Sequence, residues 1–306
     1  MKILITGATG FIARNFVKTV SHQFQNKIDF FFYTRRPNIA KNFYSKFENT
    51  TIISEINNDL PAPDVVLNLA GAPIIKSPLI MQSLELLRKS RIYYTSSLCE
   101  QLKKFHKFPN LFISGSATSI YKHNHFPVNE ASELLGGNFL GNLAFDWENS
   151  AWEGCKTTAS RVVLLRLANV LGNDGGMYKK MTPFFKKGLG ATIGSGSQFV
   201  PWISINDTIR AILFIIAHHD IQGAVNIVNT TVSTQKELST ALAKSFSQKV
   251  YLKIPKVLVK MSQGDIARAL TESLLVSPDK LLHHGFQFED LDLASLFEQL
   301  KKTKKL

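Results

Sequence analysis

The first fourteen residues, MKILITGATGFIAR, constrain the fold of this chain more than any other stretch. An apolar run ends in a glycine-rich turn and a helical pattern follows at once, which predicts a strand, a tight turn and a helix start. The amides that open a helix have no partner within it, and the helix dipole adds positive potential there. Gly7 allows the sharp turn, and Gly10 allows a diphosphate to approach the backbone. The segment therefore predicts a diphosphate site at the N-terminus of the first helix.

A third glycine usually completes this fingerprint, and Ala13, the smallest replacement, stands in its place. A single Gly-x-x-Gly motif carries little weight, but its position between a strand and a helix strengthens it. An ordinary strand-to-helix turn is the alternative that needs no ligand. We prefer the dinucleotide interpretation because strand, turn and helix occur in the required order.

Several further apolar runs follow, and two of them, at residues 65–71 and 111–116, end in small residues. They cover residues 28–33, 51–53, 65–71, 111–116 and 162–167. Helical patterns separate them at residues 11–22, 79–105 and 139–155. Near-continuous apolar runs are typical of strands in a parallel sheet that is covered on both faces. The alternation predicts an α/β fold with a doubly wound parallel sheet, whose ligands bind beyond the carboxyl ends of the strands.

The pattern changes after Asn169, which predicts a second, smaller C-terminal α/β lobe packed on the sheet. Residues 1–171 form the predicted sheet domain, and residues 204–228 return to it. Residues 172–203 and 229–306 form the predicted substrate lobe.

Two helix starts after this point carry capping signals. Ser204 or Asn206 is suited to cap a helix that runs to Ala217. Thr234 and Glu237 have the spacing of a capping box, which predicts another helix start.

The chain carries 36 lysines and arginines against 23 acidic residues, a formal net charge of +13. A solvated lysine-rich surface accounts for this charge, and attraction for a polyanion such as a phosphorylated cofactor is the alternative. The sequence has no zinc-finger spacing, no aromatic RNA-binding pattern and no basic heptad helix. We therefore expect no specific nucleic-acid partner.

The two cysteines, Cys99 and Cys155, cannot build a disulfide framework and lack metal-ligand spacing. We expect reduced, buried thiols, as in a cytoplasmic protein. The sequence has neither a signal-peptide pattern nor an apolar run of the roughly 18 residues that a membrane span needs, so no membrane is expected. The histidines, including His123 and His125, are interpreted as surface residues without metal-ligand spacing, and no metal is expected.

Eight segments, in the same order, resemble one family. They are GATGFI (7–12), TR (34–35), NLAG (68–71), SR (90–91), DWE (146–148), RLANVLG (166–172), GSGSQ with PWI (194–198 and 201–203) and GFQF (285–288). The chain resembles the extended and atypical short-chain dehydrogenase/reductases of the NAD(P)-dependent epimerase/dehydratase group. Within that group it is most similar to the sugar-nucleotide epimerase-like, or cell-division-inhibitor-like, proteins. The resemblance implies a Rossmann domain, a bound dinucleotide and a small C-terminal lobe.

The predicted second strand ends in FYTRRP (32–37), without an acidic residue. NAD-preferring sites place a carboxylate there to accept from the ribose 2′-hydroxyl. A carboxylate repels a 2′-phosphate, whereas a guanidinium binds it with charge-assisted hydrogen bonds. We therefore predict NADP(H), held by Thr34 and Arg35, while Arg36 stacks on the adenine or points to solvent. Two surface arginines on a loop are the alternative.

The resemblance adds further cofactor-binding residues. The backbone at Leu69, Ala70 and Gly71 would border the ribose and diphosphate, although a glycine turn without a ligand is the alternative. Arg91 reaches a phosphate or is a surface arginine. Arg166 and Asn169 close the sixth strand and are expected to face the nicotinamide. The predicted cofactor set is Gly7, Thr9, Gly10, Phe11, Ile12, Thr34, Arg35, Leu69, Ala70, Gly71, Arg91, Arg166 and Asn169.

The usual catalyst of this superfamily is a serine with a tyrosine and a lysine four residues apart on one helix face. Ser116 fits the serine position, but Ala144 and Glu148 stand where the tyrosine and lysine are expected. Close relatives also lack the pair and offer a cysteine, which this chain has lost as well. Alanine cannot transfer a proton, so the tyrosine-based mechanism is disfavoured.

Three candidate catalytic residues follow from the sequence. Ser116 orients a substrate hydroxyl or hydrogen-bonds the nicotinamide amide. Tyr121 is a stand-in acid or a packed aromatic residue. Glu148 is a general base beside Trp147, or else a helix carboxylate that pairs with a nearby cation or is solvated.

The sequence leaves two main functional hypotheses. The first is a cytoplasmic NADP(H)-dependent oxidoreductase or epimerase-like enzyme, which transfers a hydride on a small carbonyl, hydroxyl or nucleotide-linked substrate between Ser116 and residues 176–200. The second is a non-catalytic NADPH-binding regulator or sensor, which the missing Tyr-Lys pair favours. A polyanion-binding accessory protein rests on charge alone, and a homodimer is expected only because exposed helices of this fold often pair.

Overall fold

The computed structural model describes residues 1–24, 27–57, 59–77, 80–81, 83–134, 137–156, 158, 160–263 and 267–303. The strands are β1 (Lys2–Thr6), β2 (Asp29–Tyr33), β3 (Thr50–Ile53), β4 (Val65–Asn68), β5 (Ile75–Ser77), β6 (Ile80–Met81), β7 (Leu111–Ala117), β8 (Arg161–Leu167), β9 (Asn169–Gly172), β10 (Ala191–Ile193), β11 (Trp202–Ser204), β12 (Gly223–Ile227) and β13 (Leu252–Ile254).

The α-helices alternate with these strands in the first two thirds of the chain and dominate its end. They are α1 (Phe11–Phe24), α2 (Pro37–Tyr44), α3 (Leu84–Arg88), α4 (Tyr94–Leu102), α5 (Phe139–Cys155), α6 (Gly176–Lys186), α7 (Ile205–Ala217), α8 (Gln235–Ser245), α9 (Lys256–Gln263), α10 (Arg268–Thr271), α11 (Asp279–His283) and α12 (Leu293–Thr303). A π-helical turn at Lys89–Tyr93 joins α3 to α4, and a 3-10 turn at Thr118–Ile120 follows β7.

Seven strands form one parallel sheet in the order β12-β8-β7-β4-β1-β2-β3. Because alternate residues point to opposite faces, Ile3 and Ile5 join one buried core while Leu4 joins another. The first core includes residues from α1 and α7, and the second includes residues from α4 and α5. Helices cover both faces, which confirms the predicted doubly wound α/β fold.

The segment predicted as one helix over residues 79–105 differs in the structure. Short antiparallel strands β5 and β6 precede the helical part, and helix α3 begins only after Ser83. The Ser83 hydroxyl accepts a hydrogen bond from the amide of Leu86 at 3.2 Å and caps the helix there. The prediction was therefore wrong at the N-terminal end, and its residues 79 and 82 lie outside the described part of the chain.

The predicted helix starts elsewhere are confirmed. Ser204, rather than Asn206, caps α7, since its hydroxyl accepts from the amide of Asp207 at 2.9 Å. Thr234 and Glu237 form the predicted capping box at the start of α8.

The later part of the chain carries two small parallel strand pairs, β9 with β11 and β10 with β13. A third core joins residues of α6, α8 and α12. The segment from Leu274 to Phe286, in contrast, contributes to the core of the large sheet. The division into a sheet domain and a substrate lobe stays a prediction. No helix among the described residues has both the length and the apolar character to cross a membrane.

Candidate functional site

The glycine turn after β1 packs directly against the end of β4. Gly7 has a φ of +65°, and a Cβ there would lie 2.5 Å from the carbonyl oxygen of Leu69. The Gly10 amide donates to the Gly7 carbonyl at 2.7 Å, and a Cβ on Gly10 would lie 2.8 Å from that same oxygen. Only glycine fits at either position, so the turn keeps its backbone bare at the start of α1.

An aromatic residue from α2 braces this turn. The Tyr44 hydroxyl donates to the carbonyl of Ala8, and its ring stacks on Phe32 with a centroid distance of 4.0 Å. Burial raises the pKa of Tyr44, so its hydroxyl stays protonated and keeps donating. Nothing in the sequence marks Tyr44 for this role, because an aromatic residue in a short helix has no distinguishing pattern.

Phe11 has a packing role that the sequence did not reveal. Its ring lies against the turn of residues 172–176, where a Cβ on Gly175 would come within 2.2 Å of the ring. The next turn of α1 is tied to the same loop, because Arg14 pairs with Asp174 at 3.4 Å. Phe11 therefore holds α1 against the 172–176 turn, while Ile12 packs partly buried against the sheet core.

A cleft of about 370 Å³ opens at the carboxyl ends of β1, β2 and β4. Eight predicted cofactor residues line it, namely Gly7, Thr9, Gly10, Thr34, Arg35, Leu69, Ala70 and Gly71. The other lining residues are Tyr33, Arg36, Ala72, Pro73, Leu86, Ser90 and Tyr94. The glycine turn, the α1 N-terminus and the tip of β2 thus share one cleft, which suits a diphosphate with a nucleoside on either side.

Two arginines stand at the β2 end of this cleft. The side chains of Arg35 and Arg36 are exposed, and the Arg36 amide donates to the Thr34 hydroxyl at 3.1 Å. Within the described ranges no carboxylate forms an ion pair with either guanidinium. Both are available to an anion that enters the cleft.

Arg91 lies immediately next to the cleft, behind Gly71. A Cβ on Gly71 would lie 3.3 Å from the Arg91 Cζ atom. Its Nη2 donates to the carbonyl of Ala72 at 3.0 Å, and its guanidinium lies 5.3 Å from the centre of the Trp147 ring. Burial lowers the pKa of Arg91 to about 10. The prediction that Arg91 lies near the cofactor position is compatible with this placement, although Arg91 does not itself line the cleft.

A buried polar cluster lies at the ends of β7, β8 and β12. Ser116, Arg166 and Asn226 occupy equivalent register positions on these neighbouring strands. Glu148, from α5, faces them. Its carboxylate accepts from Arg166 Nε and Nη2, both at 2.9 Å, and from the Ser116 hydroxyl at 2.6 Å.

Tyr121 completes the cluster. Its hydroxyl accepts from Arg166 Nη1 at 2.7 Å and donates to Asn226 Oδ1 at 2.8 Å. Burial raises the pKa of Tyr121 despite the nearby guanidinium, so the phenol stays neutral. We call Ser116, Tyr121, Glu148, Arg166 and Asn226 the buried cluster.

The structure thus brings together all three predicted catalytic residues, joined through Arg166. All three are buried, at 2% exposure for Ser116, 1% for Tyr121 and 5% for Glu148. Arg166 and Asn169, predicted to face the nicotinamide, are not among the residues that line the cleft. Arg166 is committed to the buried cluster, and the exposed Asn169 donates to the carbonyl of Pro201 at 2.9 Å.

A second cavity, of about 260 Å³, lies between the loop after Tyr121 and the Gly/Ser-rich segment. Its lining includes His123, His125, Ser197, Gln198 and Glu272. His123 was predicted as a surface residue, but its side chain is only 17% exposed and its Nε2 lies 3.5 Å from Glu272. In the described ranges, no three His, Cys, Asp or Glu side chains come together as metal ligands.

The parallel sheet, with a glycine turn leading into α1, defines a fold of the Rossmann class, the class that nucleotide-binding proteins use. The sequence matches the NAD dependent epimerase/dehydratase family over residues 3–229, and the chain belongs to this family.

Relatives cover most of the chain. An epimerase family protein of Staphylococcus aureus is 29% identical over 97% of this chain and 98% of its own length. One from Mycobacterium bovis is 34% identical over 74% of both chains.

Two solved structures confirm the fold. The human epimerase family protein SDR39U1, crystallised with NADPH, superposes with a TM-score of 0.85 at 24% identity, over 99% of both chains. UDP-glucuronic acid 4-epimerase from Bacillus cereus, in complex with UDP-glucuronic acid and NAD, has a TM-score of 0.79 at 19% identity, over 100% and 99% of the two chains.

Proposed function

We propose that this protein binds NADP(H) in the cleft at the ends of β1, β2 and β4. The glycine turn and the first amides of α1 would hold the diphosphate, and the backbone at Leu69–Gly71 would border the ribose. The bare backbone at Gly7 and Gly10 fits this ligand, because a Cβ at either residue would collide with a carbonyl oxygen. The complex of SDR39U1 with NADPH supports a nicotinamide dinucleotide as the ligand of a chain with this fold.

The choice of NADP(H) rests on Arg35 and Arg36 at the tip of β2, two arginines that form no ion pair with a carboxylate among the described residues. Arg35 and Arg36 line the cleft, and the FYTRRP segment has no carboxylate to accept from a ribose 2′-hydroxyl. A guanidinium there favours a 2′-phosphate by charge-assisted hydrogen bonds. We assign this contact to Arg35.

We propose that the protein, with NADP(H) bound, acts as an oxidoreductase or epimerase-like enzyme. Its substrate would be a small carbonyl or hydroxyl compound, or a nucleotide-linked sugar. When bound, the nicotinamide ring supplies or accepts the hydride. Membership of the epimerase/dehydratase family supports this reaction class. The cavity lined by His123 and Gln198 offers room for a substrate beside the loop that follows Tyr121.

The buried cluster offers a proton path that needs no Tyr-Lys pair. The Ser116 hydroxyl donates to Glu148 at 2.6 Å, so its oxygen lone pairs are free to accept from a substrate hydroxyl. As that proton moves to Ser116, the serine's own proton moves to Glu148. Arg166 holds the carboxylate in position through two hydrogen bonds. Glu148 would therefore be the base, and Ser116 its link to the substrate.

A panel of NADPH oxidation assays tests the enzymatic proposal. Carbonyl compounds and UDP-sugars are incubated with protein and NADPH, followed by absorbance and by product analysis for epimers. Turnover that disappears in Ser116→Ala but survives in Ser119→Ala, a serine on the adjoining 3-10 turn, supports the proposal. Turnover that survives in Ser116→Ala contradicts the proton path.

A non-catalytic NADPH-binding sensor is the second candidate, and one observation favours it. The members of the buried cluster satisfy one another, and Ser116, Tyr121, Glu148 and Arg166 are each 5% exposed or less. Buried side chains that hydrogen-bond one another in this way are more typical of a structural network than of a site that exchanges protons with a substrate. Tight NADPH binding with no turnover across the panel supports this candidate over the enzyme.

A further inference from the structure

Most of the net positive charge of this chain comes from two of its segments. Residues 175–206 and 238–264 contain no acidic residue and no arginine, but they carry four and five lysines, respectively. These nine lysines supply most of the formal net charge of +13. A surface that is merely solvated mixes both signs of charge, so this segregation points to a surface that meets a negative partner.

The two segments lie side by side in the structure. Strand β10 of the first pairs in parallel with strand β13 of the second, with Thr192 opposite Lys253. The approach stays close beyond the strands, since a Cβ on Gly194 would lie 2.9 Å from the Lys256 Cε atom. The two lysine-rich segments therefore form one continuous part of the molecule.

The second segment also exposes apolar side chains beside its lysines. Every residue from Tyr251 to Met261 except Val259 is exposed. Six of these are large and apolar, namely Tyr251, Leu252, Ile254, Val257, Leu258 and Met261. Single exposed apolar side chains are ordinary, but a run of them forms a patch of the kind that marks an interaction surface. We call residues 251–261 the 251–261 face.

Helix α9 presents one apolar side to solvent. Val257 and Met261 are four residues apart, and Leu258 is three residues before Met261, so the three side chains are neighbours on the helix surface. Val259, which is buried, lies on the opposite side and rests on the protein. The apolar side of α9 therefore points away from the rest of the molecule.

The lysines of the 251–261 face have no protein counter-ion. Lys253, Lys256 and Lys260 are exposed, and among the described residues none of them forms an ion pair with a carboxylate. Lys256 and Lys260 are four residues apart and lie along one edge of the apolar side of α9. A lysine side chain rests its methylenes on apolar surroundings and extends its ammonium to a polar boundary. The face thus combines apolar contact with charges that are available to an anionic surface.

The composition of the 251–261 face distinguishes among negative partners. Protein interfaces favour arginine and are depleted in lysine, and single-stranded nucleic acids stack on several aromatic residues. The face has no arginine and one aromatic residue, Tyr251. A second copy of the chain would bring like charges together. A bilayer with anionic lipids fits both properties, because apolar side chains enter the boundary below its headgroups while lysines bind the headgroups.

We propose that the 251–261 face binds the surface of an anionic phospholipid membrane, with Leu258 and Met261 inserted at the headgroup boundary and Lys253 and Lys260 on the anionic headgroups. Such binding needs no membrane-spanning run, so the expectation of no membrane, which rests on such a run, does not apply to it. The proposal is independent of the nucleotide cleft, since no residue of the face lines that cleft.

Vesicle sedimentation tests this proposal on the intact chain. The probes are vesicles of phosphatidylcholine alone and vesicles of equal parts phosphatidylcholine and phosphatidylserine. We expect the wild-type protein to partition about tenfold or more in favour of the anionic vesicles, and this binding to weaken as salt is added. Equal binding to both kinds of vesicle, or binding to neither, overturns the proposal.

Two double variants separate the apolar contribution from the charge. Leu258→Ser with Met261→Ser should weaken partitioning onto the anionic vesicles about tenfold or more. Lys253→Gln with Lys260→Gln should weaken it about 25-fold, since each lysine near an anionic surface contributes about fivefold. Lys256 is left unchanged because it lines the candidate substrate cavity beside His123.

Matched controls come from other surfaces of the protein. Leu282→Ser with Leu291→Ser removes two exposed leucines, and Lys103→Gln with Lys156→Gln removes two exposed lysines at the ends of α4 and α5. All the substituted side chains are exposed, so the variants should keep the fold, which thermal unfolding checks. The controls should bind the anionic vesicles as the wild-type protein does. Losses in the controls as large as those in the face variants reject this face as the docking surface.

The other classes of partner give different results. A wild-type protein that binds poly(U) RNA or polyglutamate but not the anionic vesicles overturns the membrane assignment. A dimer that Leu258→Ser with Met261→Ser dissociates, in a protein that ignores the vesicles, overturns it as well.

Discussion

Arg166 and Glu148 form a buried two-point ion pair, with Nε–Oε1 and Nη2–Oε2 distances of 2.9 Å each. Their side chains are 4% and 7% exposed. Glu148 stands where the superfamily's lysine is expected, and the ion pair also hydrogen-bonds Ser116 through Glu148 and Tyr121 through Arg166.

Breaking this pair is expected to destabilise the fold strongly. Glu148→Gln leaves the Arg166 charge buried without a counter-ion, which costs about 3 kcal/mol or more. Asp146→Asn is the control on the same helix, since Asp146 pairs with the half-exposed Arg88 and its loss costs about 0.5 kcal/mol. Urea unfolding of both variants measures the difference. Equal losses would show that Arg166 finds compensation elsewhere.

Alanine substitutions at two glycines distinguish the cost of backbone strain at positive φ from the cost of a steric collision at Gly7. Gly7→Ala and Gly285→Ala both place a side chain at positive φ, which costs about 1 kcal/mol. A Cβ on Gly7 also meets the Leu69 carbonyl at 2.5 Å, whereas Gly285 has nothing within 4 Å. The collision adds about 2 kcal/mol and distorts the cleft. We expect Gly7→Ala alone to abolish NADPH binding; retained binding would argue against the turn as the diphosphate site.

Alkaline pH is expected to destabilise the protein through its buried tyrosines. Burial raises the pKa of Tyr44 and Tyr121 above the ordinary value near 10. The unfolded chain then loses protons at a lower pH than the folded one, so this stabilisation is complete below about pH 10 and falls above it. Each buried tyrosine contributes a slope of about 1.4 kcal/mol per pH unit.

Tyr44→Phe tests this dependence directly. Between pH 10 and 11 the free energy of unfolding should fall less steeply in Tyr44→Phe than in the wild-type protein, by about 1.4 kcal/mol per pH unit. Tyr251→Phe, at an exposed position, should leave the slope unchanged. Identical slopes in wild-type and Tyr44→Phe proteins would contradict the burial argument.

Cys99 and Cys155 meet across α4 and α5, with their sulfur atoms 3.6 Å apart and both side chains fully buried. A thiol reagent such as Ellman's reagent should therefore label the native protein more than about 100-fold more slowly than the protein in urea. Rapid labelling of either thiol without denaturant would show that this helix interface opens easily.

Local patterns in the sequence were sufficient to predict the parallel sheet and the glycine turn after its first strand. The apolar runs and the GATGFI turn indicated parallel strands and a diphosphate position, since both depend on residues close together in the chain. The capping box at Thr234 was recognised for the same reason. The start of the helix at Ser83 was not, because a single serine is too common to mark a boundary.

The residues that form the buried cluster could be identified only from the tertiary structure. The sequence offered a cation partner for Glu148 only as an alternative to a general base, and it did not identify Arg166 as that partner, because 18 residues and a change of element separate the two. Asn226, which accepts from Tyr121, gave no signal at all. Phe11 was assigned to the cofactor on motif position alone, whereas its packing on Gly172 and Gly175 depends on a loop about 160 residues away.

The ratio of NADH to NADPH dissociation constants, measured by fluorescence titration for wild-type and Arg35→Glu proteins, tests the cofactor assignment most directly. We expect wild-type protein to prefer NADPH, and Arg35→Glu to weaken NADPH about 100-fold, or about 2.7 kcal/mol, while NADH changes less than about threefold. Arg36→Glu, one residue further on, should have a smaller effect. Equal weakening of both dinucleotides by Arg35→Glu, or wild-type protein that binds neither, would contradict the assignment.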